Sequence, residues 1–122
     1  MALDAAARRR PYTPSAGEST VYRGCWGMDG RIAYRDENGS AHAIVSDYES
    51  LRAIGWGDES EGCELLARAI LQDATGSPAI AVSHSARLAE VLARFPSEGF
   101  ALSRREVLEW LAAHGVPREA EP

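Results

Sequence analysis

Short apolar runs separated by turn dipeptides occupy residues 20–45, and apolar residues at helical spacing take over from residue 61, so strands come first and helices follow. Val21, Tyr22, Cys25 and Trp26 mark a first strand, Ile32, Ala33 and Tyr34 a second, and Ala43, Ile44 and Val45 a third. Asp29-Gly30 and Asn38-Gly39 lie between them, and both dipeptides favour the positive backbone angles of tight hairpins. The pattern predicts a three-stranded antiparallel β-meander, which needs a cover because a lone small sheet is marginal in water. Residues 46–60 are read as one helical turn around Tyr48, Leu51 and Ile54, then a loop broken by Gly55 and Gly57.

Leu65, Leu66, Ala69 and Ile70 define a helix over 61–74, with Asp58 or Ser60 as N-cap and Gly76 then Pro78 as its stop. Ser77-Pro78 opens the next helix, whose face carries Ile80, His84, Leu88, Val91, Leu92 and Phe95; the Ser83-His84-Ser85 cluster is a point at which it could divide. Ser103 and Glu106 form a capping box for a last helix, with Leu102 stapled onto Val107, a stripe of Val107, Leu108 and Leu111, Trp110 in the core, and Gly115 and Pro117 at the end. The expected fold class is α+β: a meander followed by about three helices packed on one face of the sheet.

The chain has 122 residues, 45% hydrophobic and 25% charged, which suits one domain over residues 20–115. Residues 1–19 and 116–122 lack an apolar face and are expected to be disordered tails. No stretch reads as a membrane span or a signal peptide, so a cytoplasmic location is expected, with Cys25 and Cys63 as free thiols. All thirteen basic side chains are arginine, and they are scattered, which fits a GC-rich genome better than anion recognition. The acids are not scattered. Asp47, Glu49, Asp58, Glu59, Glu61 and Glu64 stand against Arg52 alone between residues 46 and 64, so the net charge of −5 is concentrated there.

Tyr22-Arg23-Gly24, Trp56-Gly57, Leu66-Ala67-Arg68-Ala69-Ile70-Leu71 and the series Pro96, Gly99-Phe100, Leu102-Ser103, Glu106-Val107, Trp110-Leu111 together resemble a small bacterial and phage domain family, the domain of unknown function numbered 6166. The resemblance spans about residues 21–113. It implies a small protein often carried on phages or plasmids and supplies no activity. Members carry a glycine-rich loop ending in proline after the Trp-Gly, whereas this chain reads Asp58-Glu59-Ser60-Glu61-Gly62-Cys63, so any role of that loop differs here.

Candidate chemistry is sparse. Cys63 falls in a first helical turn, where the dipole favours thiolate, but Glu61 and Glu64 oppose it, and His84, the available base, is on an apolar helix face. No metal is expected, because His42, His84 and His114 are isolated and the cysteines are far apart. Asp58-Glu59 and Glu106-Glu109 read as solvated acids, and Gly24, Gly27 and Gly30 as turn residues without a phosphate-loop context. No cofactor is implied. The favoured function is a non-enzymatic protein-interaction module, an accessory protein of a phage or mobile element, in which Trp56 anchors a partner while Asp58, Glu59 and Glu61 attract its basic patch; the structural alternative, weighed ahead of it for these residues, is that Trp56 packs under the sheet and the acids cap a helix. Two alternatives stay open. One is a small hydrolase or transferase using Cys63 or the acidic loop. The other is a nucleic-acid binder using Arg23, Arg31 and Arg35, with Trp26 and Tyr34 among them, and the Arg8-Arg9-Arg10 tail. Partner identity and oligomeric state are not encoded in any recognisable motif.

Overall fold

Two-residue turns set the sheet. In the computed structural model, which describes residues 20–28, 30–45, 52–58 and 60–115, Thr20–Gly27 (β1), Gly30–Glu37 (β2) and Ser40–Ala43 (β3) form the meander. At the second turn Asn38 (φ 54°) and Gly39 (φ 91°) both take the left-handed conformation that a tight hairpin demands. That turn places Ser40 opposite Glu37, so β3 begins at once and ends at Ala43. The third strand is therefore earlier than Ala43–Val45: Ile44 and Val45 have left the sheet and pack, half-buried, against the core. The sheet also has a fourth strand that the apolar pattern did not announce. Phe100–Ser103 (β4) pairs antiparallel with β1, giving the order β3-β2-β1-β4.

Glu61–Thr75 (α1) and Pro78–Ala93 (α2) form a helical hairpin closed by Gly76 (φ 71°) and by Ser77, whose hydroxyl accepts from the Ile80 N–H ahead of Pro78 at the helix start. α2 runs unbroken through Ser83-His84-Ser85. Arg104–Ala113 (α3) starts directly from β4. Ser103 ends the strand and also caps the helix, its Oγ accepting from Glu106 N at 3.0 Å while Glu106 Oε1 accepts from Ser103 N at 3.2 Å.

Strand alternation sorts the side chains. Tyr22, Ala33 and Leu102 join Leu66, Ile70, Leu88, Leu92, Val107, Trp110 and Leu111 of the helices in one core, while Val21 and Ala101 point the other way and form a separate buried pair. Tyr22 ties the sheet to α1: its hydroxyl donates to Asp73 Oδ2 at 2.8 Å, and Arg35 reaches Asp73 Oδ1 at 2.6 Å. Burial, reinforced by the Asp73 charge, pushes the Tyr22 hydroxyl pKa up, so it stays a donor.

Of the segment expected to be a helical turn and loop, 46–51 and Glu59 lie outside the described residues; Arg52 and Ala53 are helical and Ile54–Asp58 is irregular. The expected tails, 1–19 and 116–122, also lie outside them, as does Asp29 of the first turn. Among the described residues, no helix is long and apolar enough to cross a membrane.

Candidate functional site

Trp26 and Arg31 are cross-strand partners beside the turn of the β1–β2 hairpin, and both project from the face that carries the core. The Arg31 guanidinium lies 5.2 Å from the Trp26 ring centroid and 5.4 Å from that of Trp56, within cation–π range of both, and 3.3 Å from Asp58 Oδ2. Gly55 makes room for it, because a Cβ there would stand 2.9 Å from Arg31 Nη1. Trp26 is further held by its indole N–H, which donates to the Ser97 carbonyl at 2.9 Å.

The two tryptophans have opposite exposure. Trp56 is fully buried, edge-on to Phe100 with centroids 5.2 Å apart, and its indole N–H has no partner among the described residues. The reading of Trp56 as a surface anchor is therefore corrected. Gly57 N donates to Leu92 O at 2.9 Å and Gly55 N to Gly62 O at 3.0 Å, and these bonds draw the short polar-looking segment under the sheet, against both helices. Trp26 is 55% exposed beside a fully exposed Met28, and Arg31 links it to Asp58. The signal of Trp26 in the sequence is its place one residue before Gly27, at a strand end beyond the helices' reach.

Asp58 and Glu61 are exposed, whereas Glu59 lies outside the described residues. A hydrogen bond from the Ser60 side chain, aided by the Arg31 charge, holds the Asp58 carboxyl below its ordinary pKa. Ser60 is the N-cap of α1 by backbone conformation but makes no side-chain cap bond. Behind this loop, the cap residue Ser60 with Glu61, Cys63 and Glu64 of α1 lines one side, and Ala86, Ala89, Glu90 and Ala93 of α2 with its cap residue Arg94 line the other side, of an open groove of about 710 Å³.

Cys63 is buried at the base of the groove and donates its S–H to the Asp58 carbonyl, with Sγ 2.8 Å from the oxygen. His84 packs instead edge-on to Trp110, centroids 6.5 Å apart, and its Nδ1 is buried without a partner. Burial, followed by the charges of Arg87 and His114, lowers its pKa. No hydrogen bond joins Cys63 to His84, so the structure does not assemble that nucleophile–base pair.

The three arginines are not brought together either. Arg23 faces away from Arg31 and Arg35, and each is engaged by carboxylate: Arg23 with Asp36 at 2.8 Å, Arg31 with Asp58, and Arg35 with Asp73 and Glu37. Among the described residues, no three His, Cys, Asp or Glu side chains are grouped to hold a metal.

These features define an α+β domain in which a helical hairpin and a capped third helix cover one face of a four-stranded antiparallel sheet. A family model described as "Family of unknown function (DUF6166)" matches residues 22–113, and the chain belongs to that family. No match was found among curated proteins or among solved structures.

Proposed function

We propose that this protein is a non-enzymatic protein-interaction module that binds a partner through Trp26, with Asp58 and Glu61 attracting a basic rim on the partner. The observation that carries this reading is the fixation of an exposed tryptophan. Trp26 is 55% exposed yet tied by a hydrogen bond to Ser97 and stacked on Arg31. An exposed aromatic held in one orientation loses little conformational freedom on association, and tryptophan is among the side chains most enriched at binding hot spots. Asp58, linked to Trp26 through Arg31, and Glu61 belong to the concentrated part of a net charge of −5, which supports recognition of a cationic surface.

The test is crosslinking and affinity capture from the native host with the parent and with Trp26→Ala, followed by binding kinetics on the proteins recovered. Trp26→Ala should mainly speed dissociation, and Glu61→Lys should mainly slow association in a salt-dependent way. A host proteome in which every retained protein binds both variants as it binds the parent, or in which none is retained, overturns the reading.

A further inference from the structure

We infer that Trp26, Trp56 and Asp58 form a recognition site for an arginine side chain of the partner, and that this chain's own Arg31 fills the site until the partner displaces it. The inference rests on the interaction function above and names the group that the partner inserts at Trp26. What occupies the site defines its chemistry. One guanidinium lies 5.2 Å from the Trp26 ring centroid, 5.4 Å from that of Trp56 and 3.3 Å from Asp58 Oδ2, so two indole rings and a carboxylate converge on a single cation.

Three features make Arg31 replaceable. Its polar hold is weak: among the described residues Asp58 supplies its one hydrogen bond, which at 3.3 Å is longer than usual, and the Asp58 side chain is itself 48% exposed. Its space belongs to the backbone, because Gly55 leaves room for a guanidinium that a Cβ would crowd at 2.9 Å from Nη1. The ring beneath it is incompletely satisfied, since Trp56 is fully buried and its indole N–H has no acceptor among the described residues. Exchanging one guanidinium for another conserves the contacts at the site, so the net gain comes from the surface that the partner covers around the exposed Trp26 and Met28. Arg31 thereby acts as a built-in competitor that rejects cations unable to cover that surface. An acidic ligand for Arg31 would have to enter against Asp58 and a net charge of −5, so the field favours a cation.

The experiment titrates the full chain with N-acetyl-arginine amide and follows the indole N–H resonances. N-acetyl-citrulline amide, of the same shape but uncharged, is the control. Arg31→Ala should bind the arginine probe saturably with a Kd on the order of 1 mM, the strength expected of a ligand this small, and should not bind the citrulline probe. The parent should bind at least about tenfold more weakly, because its tethered Arg31 competes at a high effective concentration. Shifts should fall on Trp26 and Trp56 and spare Trp110, whose unchanged resonance also reports an intact fold. Arg31→Gln, which keeps most of the side-chain stem, should behave as Arg31→Ala does. Adding Trp26→Ala or Asp58→Asn to Arg31→Ala should each weaken binding several-fold or more. Equal binding by the parent and both Arg31 variants, equal binding of the citrulline probe, or shifts centred on Trp110 overturns the inference. So does N-acetyl-glutamate amide binding the parent and not Arg31→Ala, which would make Arg31 a carboxylate receptor. None of these outcomes touches the capture of a partner through Trp26, which is measured separately.

Discussion

Trp56 and Trp26 both lie within cation–π range of one guanidinium, yet one belongs to the core and the other to the surface. The Arg31 charge is nearly equidistant from the two rings. What differs is the cover: Trp56 is roofed by Phe100 and the backbone ties to Leu92 and Gly62, whereas Trp26 stands at the hairpin end with a single bond to Ser97. Residue type and immediate partner therefore do not decide whether an aromatic stabilises the fold or remains available for binding. The reach of the neighbouring elements does.

The sharpest way to break this comparison is to remove the rings. Trp56→Ala and Trp110→Ala should each cost about 3–5 kcal/mol, the usual loss for a buried large aromatic, measured by urea unfolding. Against a total stability of roughly 6–18 kcal/mol for a chain of this length, either variant is expected to be close to unfolding. If Trp56→Ala were mild, Trp56 would be as dispensable to the fold as Trp26 and the contrast would fail.

A smaller effect sharpens the buried side. Gly62 lies in the first turn of α1, where alanine should gain up to about 1 kcal/mol in helix propensity. Here a Cβ would run into the Ala53 carbonyl and the Gly55 backbone, atoms that cannot swing aside. Gly62→Ala should therefore destabilise by about 1–3 kcal/mol, read as a lowered thermal midpoint. Stabilisation would show that the segment holding Trp56 is loosely docked.

Ser103→Ala, which removes the capping-box hydroxyl, should cost about 0.5–2 kcal/mol. Because Ser103 also ends β4, hydrogen exchange should quicken in both β4 and the first turn of α3. Exchange that changes in the helix alone would mean that the strand is held independently of the cap.

His84 tests the core through pH. Its folded pKa is lowered, so the unfolded chain takes up its proton at higher pH than the folded chain does. Its contribution to stability is fully present above the ordinary histidine value of about 6.5 and is lost as the pH falls through the lower folded value. His84→Phe, which keeps a ring against Trp110, should reduce the fall in thermal midpoint between about pH 7.5 and pH 5.5. An unchanged fall would place the pH sensitivity elsewhere.

The smallest expected effect completes the comparison. Trp26→Ala should change stability by only about 0.5–1 kcal/mol, the value of an exposed cation–π contact with a solvent-facing hydrogen bond, while abolishing partner capture. A loss as large as that of Trp56→Ala would return Trp26 to the core and remove the basis of the proposed function.

Features that depend on a few adjacent residues were legible in the chain. Asn38-Gly39 encodes a turn because two neighbouring residues accept positive φ; Ser103 and Glu106 satisfy each other's backbone three residues apart; Gly76 and Ser77-Pro78 end one helix and begin the next. β4 was not legible, because four residues leading into a helix cap carry no period of their own and become a strand only by pairing with β1, far away in sequence. The same limit left the site open. Gly-Trp-Gly-Asp-Glu-Ser fits either a surface loop carrying an aromatic or a segment with its tryptophan under the sheet, and the bonds that decide for burial come from Gly62 and Leu92. Local hydrogen bonding and side-chain period belong to the sequence itself; which tryptophan faces solvent, which arginines share a face and where α1 and α2 leave a groove were decided by tertiary packing, because burial is a property of the whole assembly of elements.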